Sequence, residues 1–295
     1  MGSKHDETGL KHGNGSRHSA EDPLVSIIIR TCGRPHILKH ALESIRRQTY
    51  RNLEVIIVED GKQTAQKMLQ NDFADFSFPY LYEATGKHVG RSRAGNQAMQ
   101  LSSGKYLNFL DDDDGLLPEH VECLVRALCG RKEKAAYSVA QERQIVTRDI
   151  RAKRNFIRYR QPFHRLLLCT CNYIPIQSML FERSLFETYG GFDEKIERME
   201  DWDLWVRYSM ATDFVFVNQV TSYYHVPYGA KGKKKRGTEL KRDADRLHEK
   251  FRLYHTTMSA EQLRQEMEYV IREYKNKGLV RYIRMFFRMF VLGEL

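Results

Sequence analysis

KYLNFLDDDDGLLPEH, residues 105–120, joins two unlike halves. KYLNFL carries enough apolar residues for a buried strand. Four consecutive aspartates follow, Asp111 to Asp114. Two like charges about 4 Å apart repel by roughly 4 kcal/mol at an effective dielectric near 20. Carboxylates crowded at a strand end are either a solvated acidic turn or are offered to something positive. The flanking sequence decides between the two.

Upstream, LVSIII (24–29) and LEVIIV (53–58) are continuous apolar, β-branched runs of strand length, and YLYEA (80–84) is a third, shorter strand. Helical patterns separate them. In HILKHALESIRRQ (36–48), Ile37, Leu38, Ala41, Leu42 and Ile45 share one face. TAQKMLQND (64–72), RSRAGNQAMQLSS (91–103) and PEHVECLVRALC (118–129) also read as helices, the last with Pro118 in its tolerant first turn. This β-α-β-α-β-α-β alternation predicts an α/β domain with a mostly parallel, Rossmann-like sheet flanked by helices. Such sheets bind ligands at the carboxyl ends of their strands. Thr31–Arg34, Glu59–Lys62 and Asp111–Asp114 all fall there, so the aspartates belong to a predicted site.

The second half is less regular. AAYSVAQERQIV (135–146) reads as a strand pair and IPIQSMLFERSLFETYGGFDE (174–194) as strand, helix and Gly-Gly turn. RMEDWDLWVRYSMAT (198–212) is helical and FVFVNQVTSYYHV (214–226) extended. GAKGKKKRG (229–237) reads as a basic linker leading to a C-terminal helical appendage.

The 295 residues carry a net charge of +10, which favours anionic partners. At 41% hydrophobic the chain can bury an ordinary core. The five cysteines show no CxxC pair and no zinc spacing, so they read as reduced thiols in a cytoplasmic protein. No run of 18 apolar residues spans a bilayer. Residues 1–22 are polar and rich in Gly, Ser and His: a disordered leader rather than a secretory signal. Asp6 argues against myristoylation at Gly2.

A calcium loop needs glycine at its sixth position, but counting from Asp111 that position is Leu116. The remaining functional reading is a divalent ion shared with a diphosphate. Asp111 and Asp113 alternate and can reach one Mg²⁺ or Mn²⁺ whose shell is completed by phosphate oxygens and water.

Four segments in order now show a likeness. VSIIIRTCGRP, QTYRNLEVIIVEDG, VGRSRAGNQAMQLSSGKYLNFLDDDD and GGFDEKIERMEDWDLWVR resemble the nucleotide loop, acidic strand end, DxD stretch and Glu-Asp element of the family 2 glycosyltransferases. The likeness, to enzymes of the bacterial polysaccharide type, covers Pro23 to about Pro227 and implies the GT-A fold. It divides the chain into a catalytic domain (23–228, nucleotide half 23–115, acceptor half 116–228) and a tail (229–295). It implies a nucleotide-diphosphate sugar donor, usually UDP-linked, and inversion at the anomeric carbon. Thr31 and Arg34 would lie in the nucleotide loop, and Asp60 would contact the base. Asp113 would be the direct metal ligand, with Asp111 nearer the ribose or a metal-bound water. His225 would add a contact to metal or diphosphate. Asp201 would be the catalytic base, with Glu200 the rival. Asp112 and Asp114 would support the turn or reach a sugar hydroxyl. The chain departs from the family at Gly95, where an arginine commonly precedes Asn96. Arg91 or Arg93 would supply that charge from a turn earlier.

Each residue also has a plainer reading. Acids at a helix start favour its dipole, Trp202 and Trp205 suit a core, and His36 and His88 suit the surface. Two other functions compete: a nucleotidyltransferase, poorly matched by the single glycine of Thr31–Arg34, and a non-catalytic sugar-nucleotide or glycan binder. In the tail, Lys231, Lys233, Lys234, Lys235 and Arg236 precede a helix with Arg281, Arg284 and Arg288 on one face and Leu279, Ile283, Phe286, Phe287, Phe290 and Val291 over the rest. No nucleic-acid motif accompanies them. The pattern suits an anionic membrane surface, and through it a lipid-linked or glycan acceptor. The same face could instead pack on the catalytic domain or on a second copy.

Overall fold

The computed structural model describes residues 22–146, 149–157, 159–227 and 230–277. β1 (Val25–Thr31), β2 (Leu53–Glu59), β3 (Tyr80–Ala84) and β4 (Tyr106–Asp111) lie parallel in the order β3-β2-β1-β4. Between them run α1 (Pro35–Arg46), α2 (Gln66–Asp72) and α3 (Arg91–Leu101). Side chains alternate across a strand. Ile28, Ile56, Val58 and Phe109 therefore meet Ala94, Ala98 and Met99 of α3 on one face. Ile27, Ile29, Val55 and Ile57 meet Leu38, Leu42 and Ile45 of α1 on the other. Both faces are covered, which is why these strands read as unbroken apolar runs. β1 runs two residues past its apolar stretch and buries Arg30 and Thr31.

The expectation of a mostly parallel sheet holds for these four strands. The second half adds β5 (Gly115–Leu116), α4 (His120–Leu128), β6 (Ala135–Val146), β7 (Asp149–Ile157), α5 (Arg165–Leu168), a 3-10 turn (Ile176–Ser178), β8 (Met179–Glu182), α6 (Arg183–Tyr189), α7 (Glu200–Ser209) and β9 (Phe214–Pro227). The full order is β3-β2-β1-β4-β8-β6-β9-β5, with β7 paired to β6. β8 is antiparallel to β4 and β6, β5 to β9 and β7 to β6, while β6 and β9 run parallel. Residues 135–146 are one strand rather than a pair. AAYSVAQERQIV contains no Gly, Pro or Asn to turn on, and its antiparallel partner is the separate strand β7.

The tail also differs from its expected form. α8 (Ala230–Phe251) begins inside the segment read as a linker, and α9 (Ala260–Lys277) follows. Lysines form helix well enough to carry two glycines costing about 1 kcal/mol each. The described part of the tail packs on the preceding residues of the fold. Lys250 lies 2.7 Å from Asp193 and 2.9 Å from the fully buried Asp203, and Arg198 pairs with Asp243 at 2.7 Å. Trp202 meets Phe251 edge to face at 5.1 Å. Glu266 of α9 accepts the backbone N–H groups of Arg165 and Leu166, and Tyr269 stacks on His164. Residues 1–21 of the leader and the arginine stripe at 281–288 lie outside the described residues. Among those described, no helix is long and apolar enough to cross a membrane.

Candidate active site

The ends of β1 and β4, the loops after β2 and β3, the start of α3 and Glu197 surround a cavity of about 280 Å³ lined by Arg30, Thr31, Arg34, Asp60, His88, Arg91, Asp111, Asp112 and Glu197, among others. Arg30 organises it. Its Nε and Nη2 donate to Asp111 Oδ1 at 3.1 and 2.6 Å, and its Nη1 donates to Glu200 Oε1 at 2.7 Å. The guanidinium packs 5.5 Å from the Phe109 ring and 5.3 Å from Phe192. Burial alone would raise the Asp111 pKa, but the Arg30 and Arg91 guanidiniums outweigh it and hold the carboxyl below its usual range. Arg30 thus ties the end of β4 to the start of α7, 170 residues away in sequence.

The space for Arg30 comes from Gly95. A Cβ there would stand 2.7 Å from Phe192 Cε2 and 3.1 Å from Arg30 Cδ. Gly95→Ala therefore sets two effects against each other. Alanine favours a helix by about 1 kcal/mol, while overpacking costs about 1–3 kcal/mol. The variant is expected to melt below the wild type. A higher melting temperature would mean that the contact with Arg30 is loose.

The four aspartates have four separate situations. Asp111 belongs to Arg30, and its other oxygen lies 3.3 Å from Arg91. Asp112, almost wholly buried, accepts from Thr31 Oγ1 at 2.6 Å and from Arg34 Nε at 3.1 Å, with a further short contact to Arg34 Nη2. Burial pushes its pKa up to about 6 against the pull of Thr31 and Arg34. Asp114 accepts the backbone N–H of His225 at 3.1 Å, and burial, then Asp113, push its carboxyl well above the usual range. Asp113 is 46% exposed and, among the described residues, its carboxylate meets only Arg34, at 3.7 Å.

His225, on β9, places Nδ1 2.5 Å from the Asp113 carbonyl, and its Nε2 has no hydrogen-bond partner among the described residues. Burial lowers its pKa, which keeps the imidazole neutral and able to ligate. Asp113 and His225 are thus a carboxylate and a free imidazole nitrogen side by side. Among the described residues no three His, Cys, Asp or Glu side chains converge as a metal cage. That donor set fits an Mg²⁺ or Mn²⁺ ion that shares its shell with phosphate, because such ions take one or two protein ligands there.

Glu200 and Asp201 open α7 differently. Met199, just before them, has φ of 62°, a left-handed conformation that is rare without glycine and that collects at functional sites. Glu200 is buried against Arg30, with Arg91 Nε at 3.5 Å. Among the described residues Asp201 makes no ion pair: Oδ1 accepts from Asn172 Nδ2 at 3.2 Å and from the Trp202 N–H. Burial, then the adjacent Glu200 carboxylate, push its pKa up to about 7. Trp202 and Trp205 are core residues, as their types suggest.

Other expected residues divide. Asp60 reaches the cavity, but its oxygens accept from the Val89 and Gly90 N–H groups at 2.6 and 3.1 Å and lie 2.7 Å from His88 Nδ1. His88 is exposed, as expected, yet lines the cavity. Of the two arginines expected to compensate for Gly95, Arg91 faces the cavity and Arg93 pairs with Glu194 at 2.8 Å. Asn96 is bonded to both backbone groups of Phe192, which pins the Gly-Gly turn and leaves no amide for a donor. Sequence reasoning missed Arg30, and placed Glu59 at a strand end without giving it a role. Glu59 holds the loop after β2 through the N–H groups of Thr64 and Ala65 and reaches Gly33. A charge continuing the LVSIII run was the available signal for Arg30.

A parallel sheet with aspartates at its strand ends that then turns antiparallel, with an acid pair opening a helix tied to it by Arg30, defines the GT-A fold. The chain belongs to Glycosyl transferase family 2, whose family model matches residues 26–190. An uncharacterized glycosyltransferase of Rickettsia prowazekii, RP339, is 27% identical over 214 residues, which is 67% of this chain and 62% of that protein. The chain therefore spans less than two thirds of that relative. Chondroitin synthase of Escherichia coli is 29% identical over 210 residues, 70% of this chain and 29% of that protein. The crystal structure of S. aureus TarS 1–349 in complex with UDP-GlcNAc matches with a TM-score of 0.63 at 15% identity, covering 92% of this chain and 77% of that one. This last likeness shows the fold.

Proposed function

We propose that the protein is an inverting, metal-dependent glycosyltransferase that moves a sugar from a nucleoside-diphosphate sugar, a UDP-sugar, to a hydroxyl of a glycan or lipid-linked acceptor. The observation that carries this reading is the division of carboxylates by Arg30. Glu200 and Asp111 are bound to it, while Asp201 and Asp113 are not: Asp201 accepts from Asn172, and Asp113 has only a 3.7 Å contact with Arg34 among the described residues. The complexes of TarS with UDP-GlcNAc and of a Pyrobaculum calidifontis mannosyltransferase with GDP-Man and Mn²⁺ support the donor class and the metal.

Thr31, Arg34 and Asp60 would frame the nucleoside, with Asp60 exchanging its contact to His88 for the base. Arg91 would turn toward the diphosphate. Asp113 and His225 Nε2 would hold Mn²⁺ or Mg²⁺. When bound, the ion supplies Lewis-acid stabilisation of the charge that grows on the departing nucleoside diphosphate. Asp201 accepts the acceptor hydroxyl's proton as that oxygen attacks. One base opposite the leaving group gives a single displacement and hence inversion. Holding both substrates in line can supply roughly 7–11 kcal/mol of the barrier.

A panel of UDP- and GDP-sugars with Mn²⁺, assayed for nucleoside diphosphate release, tests this. Asp113→Ala is expected to lower turnover about a hundredfold or more, in line with loss of several kcal/mol of metal stabilisation. Pyrophosphate in place of nucleoside diphosphate would instead indicate a nucleotidyltransferase.

A further inference from the structure

A second cavity of about 300 Å³ shares Asp112 with the first, and its walls include Asp113, Arg47, Arg143, Tyr223 and His225. Strand register explains the group. In the parallel pairing of β6 with β9, Arg143 stands opposite His225 and Gln141 opposite Tyr223. Residues two apart share a face, so these four project together. Glu142 and Tyr224 project from the opposite face, where they bond each other. Gly115 of β5 pairs with Tyr223, and a Cβ at that position would collide with the ring. Glycine is what lets the ring lie against the strand.

The Arg143 guanidinium sits 3.5 Å from the Tyr223 ring centroid, a close face-on cation–π contact. Its Nε donates to Gln141 Oε1 at 3.1 Å. Among the described residues neither Arg143 nor Arg47 has a carboxylate within ion-pair distance. The four acids around the cavity are engaged elsewhere: Asp112 and, at 3.7 Å, Asp113 with Arg34, Glu43 with Arg46 at 3.9 Å, and Asp114 with the His225 N–H. A half-buried guanidinium held flat by an aromatic ring, with no counter-ion, is a ready oxyanion receptor. Its planar fork matches two phosphate oxygens.

We propose that Arg143, together with Arg47, forms an oxyanion subsite that takes a phosphate group beside Asp113. Two molecules could carry that phosphate: the sugar donor, through its diphosphate, or a phosphate-bearing acceptor. Only that choice rests on the function proposed above.

Calorimetric titration of the full-length protein with inorganic phosphate and, separately, with UDP tests the subsite. Arg143→Gln is expected to weaken inorganic phosphate at least tenfold, and Arg143→Lys, which keeps the charge and loses the fork, by less. Equal weakening of UDP identifies the donor diphosphate as the source. Unchanged UDP affinity together with weakened phosphate identifies an acceptor phosphate. A wild type that binds no phosphate, or Arg143→Gln that binds it as well as the wild type, overturns the proposal. Should Arg143→Gln fail to fold, Tyr223→Leu removes the platform, keeps the charge, and is expected to weaken phosphate several-fold. If UDP does not bind the wild type while phosphate binding depends on Arg143, the subsite stands and the proposed donor fails.

Discussion

Asp201→Asn is expected to lower kcat by about 10²–10⁴-fold, the usual worth of a positioned general base, with little change in donor affinity. The amide keeps the carboxylate's shape and can still accept from Asn172 and the Trp202 N–H, so the helix start is undisturbed. What is lost is the capacity to take a proton. The pH profile gives a second reading. With its pKa pushed to about 7, Asp201 is protonated and inactive on the acid side, and the rate should rise as pH passes through that region. The acid limb should vanish in the variant. Stability should move the opposite way. A carboxyl whose folded pKa lies above its unfolded value stabilises fully below the unfolded pKa and loses that contribution as pH rises through the folded one. Asp201→Asn should therefore melt higher than the wild type at pH 8 and nearly equal to it at pH 4. Glu200→Gln should cost less activity, since its amide oxygen can still accept from Arg30. A profile that keeps its acid limb in Asp201→Asn, or a greater loss in Glu200→Gln, would transfer the base role away from Asp201.

The parts of this molecule that were legible in sequence are those where one periodicity acts alone. β1, β2 and β4 are buried on both faces and read as apolar runs, and α1 reads from its single buried stripe. The aspartate run stood out because nothing local explains four adjacent charges. Its division did not stand out, because that depends on partners 78 to 81 residues away: Thr31 and Arg34 take Asp112, and Arg30 takes Asp111. Asn96 was assigned to the donor side from its place in a motif, yet its hydrogen bonds run to Phe192, 96 positions on. Lys231 to Arg236 read as a linker from local glycine and charge, while the helix that contains them is anchored further along by Phe251 on Trp202 and Lys250 on Asp203. Strand pattern reports burial. It does not report which charges meet across the fold, and in this site those meetings set the chemistry.

The largest stability loss is expected from Arg30→Met. Methionine fills much the same volume but leaves the buried Glu200 and the largely buried Asp111 without their main counter-charge. Removing one partner of a buried ion pair typically costs about 3–5 kcal/mol, because the remaining charge stays desolvated. Arg91 lies 3.5 Å from Glu200 and 3.3 Å from Asp111 and is nearly half exposed, so it can swing in and recover part of the loss. The double variant Arg30→Met/Glu200→Gln should therefore be more stable than Arg30→Met alone, a non-additivity that thermal or urea unfolding of the four-member cycle measures. The activity readout separates clamp from scaffold. Arg30 also draws the Asp201 pKa downward, so its loss should move the acid limb of the rate profile to higher pH. A residue that only filled space would lower stability and leave that limb where it was. Arg30→Lys keeps the charge but cannot bridge both carboxylates with one planar fork. It should hold the limb near its wild-type position while recovering only part of the stability. Additive stabilities across the cycle, or a limb that stays fixed in Arg30→Met, would mean that Glu200 and Asp201 are set by the α7 backbone and not by the charge that reaches them from β1.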